Sequence, residues 1–351
     1  MRCDTLIKDG KVVFPKVGIQ DLDIAITNGK VAALQGRGVE VQAGTTIDAS
    51  GKYVLPGVID PHVHWGHSGS IAAEAPGESR AAAIGGCTTI IQFSSGGGFF
   101  EKRVGLATPT SASKSEERPV LGEDLGFNWC RDLVEKSSYI DVAFHFHIVN
   151  EALTARFDRF IRDQGISSFK FIMAYKNRPG FFNEFKDGWF YEALQALSKY
   201  RKATACIHAE NDEVVEHFTR KVMKLGKQGL AAWAECRPDF AEAECVSRAL
   251  YFGELTGCPA YIVHMSAKRS LEEFSRYKQK GNKAYAETCL HYLLQNIDSP
   301  IGILGKIQPP LRTQADCEGL WEGVADGRID TIGSDHCADP RDMKRAWDMK
   351  G

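Results

Sequence analysis

From Pro56 onward the chain alternates short apolar segments with amphipathic ones, and no other feature restricts its fold as strongly. The apolar segments span residues 58–64, 88–94, 142–149, 167–173, 204–209, 260–265, 284–288 and 331–335. Such near-continuous apolar runs suit strands covered on both faces. Between them, residues 191–200, 213–224, 240–255 and 271–278 carry the spacing of helices packed along one side. Eight strands with helical crossovers predict an α/β fold, a (β/α)8 TIM-like barrel, in preference to an open sheet.

Six side chains of interest for metal binding stand at or near the ends of these segments. They are His62 and His64 in Ile59-Asp60-Pro61-His62-Val63-His64, Lys170 in the fourth, His208 in the fifth, His264 in the sixth and Asp335 in the eighth. On a strand, residues two apart project to the same side, so His62 and His64 can grip one ion. Asp60 can partner a remaining ring nitrogen. A second His-x-His, His145 and His147, has no carboxylate before it and is expected to pack or to support the ligands. A solitary histidine such as His208 or His264 is ordinarily a hydrogen-bonded core residue. Their joint order along the chain is what fits a hydrolase holding two divalent metals at the mouth of a barrel. Lys170 is the exception, because an ammonium has no lone pair to offer, and by itself it reads as snorkelling or pairing with a carboxylate.

Residues 1–55 have another texture and are expected to form part of a β-sandwich domain, with 56–351 as the barrel catalytic domain. Asp9-Gly10, Asn28-Gly29 and the turn within residues 46–55 each predict a hairpin. Residues 95–141 make a long second-to-third strand connection, with a Gly-rich start, a polar tract at 108–118 and a helix near 125–136. A loop on the catalytic face of a barrel can serve as a lid, and a surface excursion is the alternative.

A net charge of −2 over 351 residues gives no electrostatic case for nucleic acid or an anionic membrane. No apolar run approaches the ~20 residues of a membrane span, and Met1-Arg2-Cys3-Asp4 lacks the apolar core of a signal peptide. The ten cysteines contain no Cys-x-x-Cys and are expected to be unpaired thiols of a cytoplasmic protein.

Pro56-Gly57-Val58-Ile59-Asp60-Pro61-His62-Val63-His64 resembles the opening motif of the amidohydrolase superfamily. Ser168-Phe169-Lys170-Phe171-Ile172-Met173-Ala174-Tyr175-Lys176 is narrower and resembles the lysine motif of the dihydropyrimidinase (hydantoinase) family. Glu287-Thr288-Cys289, Pro309-Pro310-Leu311-Arg312 and Ser334-Asp335-His336-Cys337 are similar to later signatures of that group, so the resemblance runs from about residue 5 to the end. It implies a binuclear-metal hydrolase that opens a cyclic amide ring, of hydantoin or dihydropyrimidine type, by attack of a metal-bridging hydroxide. The implied ligands are His62, His64, Lys170, His208, His264 and Asp335, with Lys170 carbamylated to N6-carboxylysine. Two divalent ions are implied, zinc first, with manganese or cobalt suited to the same donors. Asp335 would carry a proton to the leaving nitrogen, and Tyr175 would donate a hydrogen bond to the oxyanion.

Departures from the family pattern bear on the substrate. Gln308 stands where dihydropyrimidinases usually place a substrate-contacting serine, and Trp65-Gly66 follows His64 without the arginine of dihydroorotases. Allantoinase or another cyclic imide hydrolase remains the alternative, as does a non-catalytic scaffold homologue. Trp65 and Phe99-Phe100 are expected to offer an aromatic wall to a substituted ring. The resemblance also implies a homo-oligomer, tetramer or dimer, in a full-length form. Gly351 falls before that family's last barrel helix and returning sandwich strands, so a C-terminally truncated chain is expected.

Overall fold

The computed structural model describes residues 2–66, 71–94, 124–175, 185–339 and 341–344. The 95–123 part of the long connection, including Phe99-Phe100, lies outside the described residues. Two compact units are present, Met1–Val58 and Ile59–Gly351.

The first unit is a five-stranded sheet of β1 (Arg2–Phe14), β2 (Gly18–Thr27), β3 (Lys30–Gly36), β4 (Gln42–Asp48) and β5 (Tyr53–Val54), in the order β3-β2-β1-β4 with β5 also on β1. The Asn28-Gly29 hairpin forms as expected, with Thr27 opposite Lys30 and both turn residues at positive φ, 53° and 70°. The other two hairpins do not. Asp9-Gly10 lies inside the single long strand β1, where the register against β2 shifts between Ile7 and Gly10. Asp9 takes φ 60°, and its N–H donates to Oδ1 of the buried Asp23 at 2.8 Å, which turns the predicted corner into a bulge. β4 and β5 do not pair with each other. Both run parallel to β1, end to end along one edge, because Ser50-Gly51 only bends the chain between them.

The second unit is an all-parallel sheet of β6 (Val58–His64), β7 (Cys87–Ser94), β8 (Asp141–His147), β9 (Ser168–Ile172), β10 (Thr204–His208), β11 (Ala260–Ile262), β12 (Ala284–Cys289), β13 (Thr331–Gly333) and β14 (His336–Cys337). Their order is β13-β12-β11-β10-β9-β8-β7-β6-β14. β13 and β14 are two pieces of one chain segment, the first on β12 and the second on β6, so the eighth strand closes the ring. The sequence reading of 331–335 as one strand is corrected here: Asp335, at φ 51°, breaks it.

Crossover helices include α1 (Ile71–Ile84), α2 (Asp124–Ser137), α3 (Glu151–Thr154), α4 (Phe157–Arg162), α5 (Asp187–Leu197), α6 (Asp212–Lys224), α7 (Leu230–Cys236), α8 (Asp239–Thr256), α9 (Lys268–Lys278), α10 (Leu290–Leu294) and α11 (Gln314–Ala325). Among the described residues no helix is long and apolar enough to cross a membrane. All ten cysteines are free thiols, as expected.

Strand alternation sorts the side chains. Phe169, Phe171, Ala205, Ile207 and Ile262 join Phe190, Leu194, Leu250 and Phe274 in one large apolar layer between strands and helices. The alternate residues Phe93, Cys206, Tyr261 and Val263 form a separate cluster, and Lys170 and His208 share the strand parity of that second set. On β6, Val63 and Trp65 face α1 and α2, packing with Ile71, Ala75, Ile90, Cys130 and Val134. Trp65 is only 5% exposed. Trp65→Ala should therefore destabilise the chain by about 3–5 kcal/mol, as truncation of a buried aromatic does. Denaturant unfolding checks this, and a loss below about 1 kcal/mol would contradict the packed position.

Candidate metal centre

Because the strands are parallel, their C-terminal ends meet at one rim, and the six residues converge there. His62 and His64 close β6, Lys170 lies in β9, His208 ends β10, His264 follows β11, and Asp335 sits between β13 and β14. His62 Nε2, His64 Nε2 and Asp335 Oδ1 form a triangle 3.1 Å on each side. Ligand atoms about 2.05 Å from a tetrahedral zinc would be about 3.3 Å apart, so the triangle matches one face of such a site. Donor atoms of His62, His264 and Asp335 also lie within 4.8 Å of one another. His264 Nδ1 is buried and has no hydrogen-bond partner among the described residues, as a nitrogen held for another purpose would be. These observations fit divalent metal.

The remaining residues surround this group. His208 packs its ring edge-on to His264, 4.6 Å between centroids, and lies 5.1 Å from the Tyr175 ring. Its Nε2 is engaged by Glu210 Oε2 at 2.7 Å. Lys170 Nζ lies 4.5 Å from the centre of the Phe93 ring, which also packs against His62. His145 braces the site from below: Nε2 contacts the Pro61 carbonyl at 3.0 Å and Nδ1 contacts Ser168 Oγ at 2.6 Å, touching the strands of His62 and Lys170. That is the supporting role expected of it.

Protonation states follow from burial and charge. Burial pushes His64 down to about 4 and His145 down to about 3, and holds His147, His208 and His264 below the usual histidine range, so these rings are neutral. Burial opposes ionisation of Asp335, yet His62 and His64 hold its carboxyl well below the usual range. His62 is the exception: burial disfavours its charge, but Asp335 and Glu287 together raise it to about 9. Burial lowers the Lys170 amine to about 8 against the pull of Asp335.

Several important residues were given no role by the sequence, Glu287 among them although it opens the Glu287-Thr288-Cys289 signature. Glu287 is fully buried on β12; its Oε1 lies 2.6 Å from His62 Nδ1 and accepts the His264 N–H at 2.9 Å. Its other oxygen accepts the Tyr261 hydroxyl, which meets Thr331 Oγ1 at 2.7 Å. A carboxylate within an apolar strand was the available signal. Gly333 is required beside it, since a Cβ there would stand 2.8 Å from His62 Cβ and 3.1 Å from the Glu287 carboxyl carbon. Phe93, Glu210 and Arg237 carried no signal that sequence could rank.

One expectation on substrate contact changes. Trp65 follows His64 and so points to the opposite side of β6, into the helix layer, which corrects its placement on a pocket wall. Gln308 is half-buried in the loop before α11, where the neighbouring Ile307 carbonyl accepts Trp233 Nε1–H at 2.6 Å. Tyr175 stands three residues past β9 at φ 65°, its N–H held by Asp212 Oδ1 at 2.7 Å. Tyr175, His264 and Asp335 account for half of the non-glycine residues at positive φ among those described, and such strain concentrates at functional sites.

The His62 shift has a sign that can be checked. In the metal-free chain its stabilising contribution is fully present below about 6.5 and is lost as pH rises through about 9. Metal must displace that proton, so zinc affinity should climb from pH 7 to about 9 and then flatten. Glu287→Gln removes one raising charge and should move the climb to lower pH, measured by zinc competition across pH. An unchanged profile would show that Glu287 does not govern the His62 proton.

No family model matches the chain. A D-hydantoinase of Geobacillus stearothermophilus is 32% identical over 343 residues, 95% of this chain and 67% of that protein. An allantoinase of Salmonella choleraesuis (strain SC-B67) is 30% identical over 358 residues, 99% of this chain and 73% of that protein. The crystal structure of dihydropyrimidinase from Brevibacillus agri NCHU1002 superposes with a TM-score of 0.80 at 27% identity, covering 96% of this chain and 69% of that one.

Proposed function

The chain belongs to the hydantoinase family of the amidohydrolase superfamily, and on that premise we propose that it hydrolyses a cyclic amide ring of the hydantoin or dihydropyrimidine type with two divalent metal ions. The observation that carries this reading is the 3.1 Å triangle of His62, His64 and Asp335 with Lys170, His208 and His264 around it. His62, His64 and Asp335 would hold one ion, and His208 and His264 the other. Lys170, as N6-carboxylysine, would serve both. Zinc suits these donors, and manganese or cobalt is accepted by the same set. Bound there, the ions supply Lewis acidity toward a water molecule and toward the amide carbonyl.

The protein's own groups do the rest. With its amine lowered to about 8, about a tenth of Lys170 is uncharged at pH 7, far more than for an exposed lysine. That nitrogen adds to the carbon of CO₂ and sheds a proton, which converts a buried cation into an anion able to ligate. Asp335 is ionised and so accepts the proton of the attacking water, then returns it to the departing ring nitrogen as the C–N bond breaks. Tyr175 would donate a hydrogen bond from its hydroxyl to the carbonyl oxygen as charge gathers there. Water has then added across the amide bond, leaving a carboxylate and an open-chain nitrogen.

The allantoinase reading keeps a specific support, the 30% identity to a protein of that name over 99% of the chain. A hydrolysis panel of hydantoin, dihydrouracil, allantoin and cyclic imides separates the two. Turnover of hydantoin or dihydrouracil above allantoin supports the main reading, and the reverse order supports the second. With Trp65 packed away, a preference for apolar ring substituents loses that residue's support. A cytoplasmic dimer or tetramer completes the proposal, supported by the family resemblance and by ten unbridged thiols.

Lys170→Ala should abolish binding of the ion pair and activity, with partial rescue by short carboxylic acids that fit the vacated space. Metal analysis of the purified variant checks this. Two ions retained at full occupancy without an added acid would refute the carboxylated lysine.

A further inference from the structure

Behind His208 lies a buried set of charges that the proposed chemistry does not use. Glu210, two residues beyond His208, is 1% exposed, and Arg237, between α7 and α8, is 4% exposed. One oxygen of Glu210, Oε2, receives both His208 Nε2 at 2.7 Å and Arg237 Nη1 at 2.8 Å. Its other oxygen, Oε1, is buried without a hydrogen-bond partner among the described residues. The Arg237 guanidinium lies between two aromatic faces, 5.7 Å from the Tyr175 ring centre and 5.2 Å from that of Trp233. Its backbone carbonyl accepts from Arg312, which also bonds Ser266 Oγ at 3.0 Å and Glu242 Oε2 at 3.1 Å.

Fold stability alone does not account for this arrangement. A buried ion pair is costly to desolvate, and apolar residues of similar volume often serve a fold as well or better. Arg237 is instead placed where one side chain touches the support of a candidate ligand and the ring of a candidate oxyanion donor. A guanidinium can do both because it is flat, permanently charged and forked. A histidine that ligates a metal through one nitrogen needs the other held by a partner, and Glu210 occupies that place for His208.

We propose that Glu210 and Arg237 are positioning residues of this site: Glu210 keeps the His208 proton on Nε2, so that Nδ1 is the nitrogen offered to metal, and Arg237 fixes Glu210 while backing the Tyr175 ring. The role assigned to Nδ1 rests on the proposed function; the tautomer itself does not. The pair thus ties the fourth and fifth strand loops to the start of α8. Arg312, within Pro309-Pro310-Leu311-Arg312, extends the tie toward the His264 loop through Ser266.

Three measurements test this. In the intact metal-free chain near pH 7.5, nitrogen-15 shifts of His208, assigned by their loss in His208→Gln, should show a proton on Nε2 and a bare Nδ1. A bare Nε2 or a protonated Nδ1 overturns the proposal, and His208→Gln, used for assignment, is the one variant that must fold for that result. Equilibrium dialysis with zinc should then show that Glu210→Gln weakens one class of site roughly 10–100-fold and leaves the other unchanged. Equal weakening of both classes, or of neither, overturns it. Arg237→Met should lower kcat on a ring substrate by about tenfold or more with KM nearly constant, and Arg237→Lys should recover only part, because an ammonium restores charge without a stacking plane. Full recovery by lysine, or a loss matched by the drop in folded protein, assigns Arg237 to stability alone and overturns its positioning role. A wild-type chain that binds no zinc would defeat the proposed function, while the tautomer result would still decide this inference.

Discussion

The carboxylate of Glu287 is the contact on which the rim of the barrel depends. Through three hydrogen-bonded neighbours, His62, His264 and Tyr261, and through Thr331 by way of Tyr261, it joins β6, β11 and β13 to its own β12. A buried anion is tolerable only where donors surround it, and these are donors whose own positions matter for chemistry. Burial disfavours the charge on Glu287, but His62 and its hydrogen bonds hold its carboxyl below the usual range. The glycine at 333 follows from the same crowding, since the eighth strand must pass within van der Waals reach of both partners. Past Gly333 the strand breaks at Asp335, whose left-handed backbone puts its carboxylate against His62 and His64.

The barrel was legible in sequence because parallel strands covered on both faces leave long apolar runs, and each of the eight expected strands overlaps an observed one. What sequence could not give was pairing over distance. Asp9-Gly10 has the chemistry of a hairpin corner, yet a buried partner 14 residues away, Asp23, captures Asp9 and makes a bulge. The parallel seating of β4 and β5 on β1 is a long-range choice that no local turn residue records.

The site was legible to the same depth. His62 and His64 show themselves through strand parity, and the identical rule, applied one residue further, sends Trp65 into the helix layer. The supports were less visible. Glu210 and Glu287 are single acidic residues whose importance depends on which histidine they meet, and Arg237 reaches Glu210 from 27 residues away. A partner chosen in three dimensions leaves no spacing to read.

The interior of the barrel supplies what an exposed cluster could not. Phe93, Cys206, Tyr261 and Val263 form an apolar floor, and Lys170 lies over the Phe93 ring with its charge poorly solvated. Desolvation is what lowers its amine to about 8, so that more of it is uncharged near neutral pH than of a surface lysine. The same desolvation keeps five imidazoles neutral and available. Asp335, Glu287 and Glu210 stay ionised close to these rings, each against a histidine or arginine that compensates it. A low-dielectric floor thus lies beneath a rim of paired charges, His62 with Asp335 and Glu287, and Arg237 with Glu210. The floor keeps those imidazoles neutral, and the rim above it gathers the His62, His64 and Asp335 donors that fit a divalent metal, so the fold and the candidate site rest on the same burial.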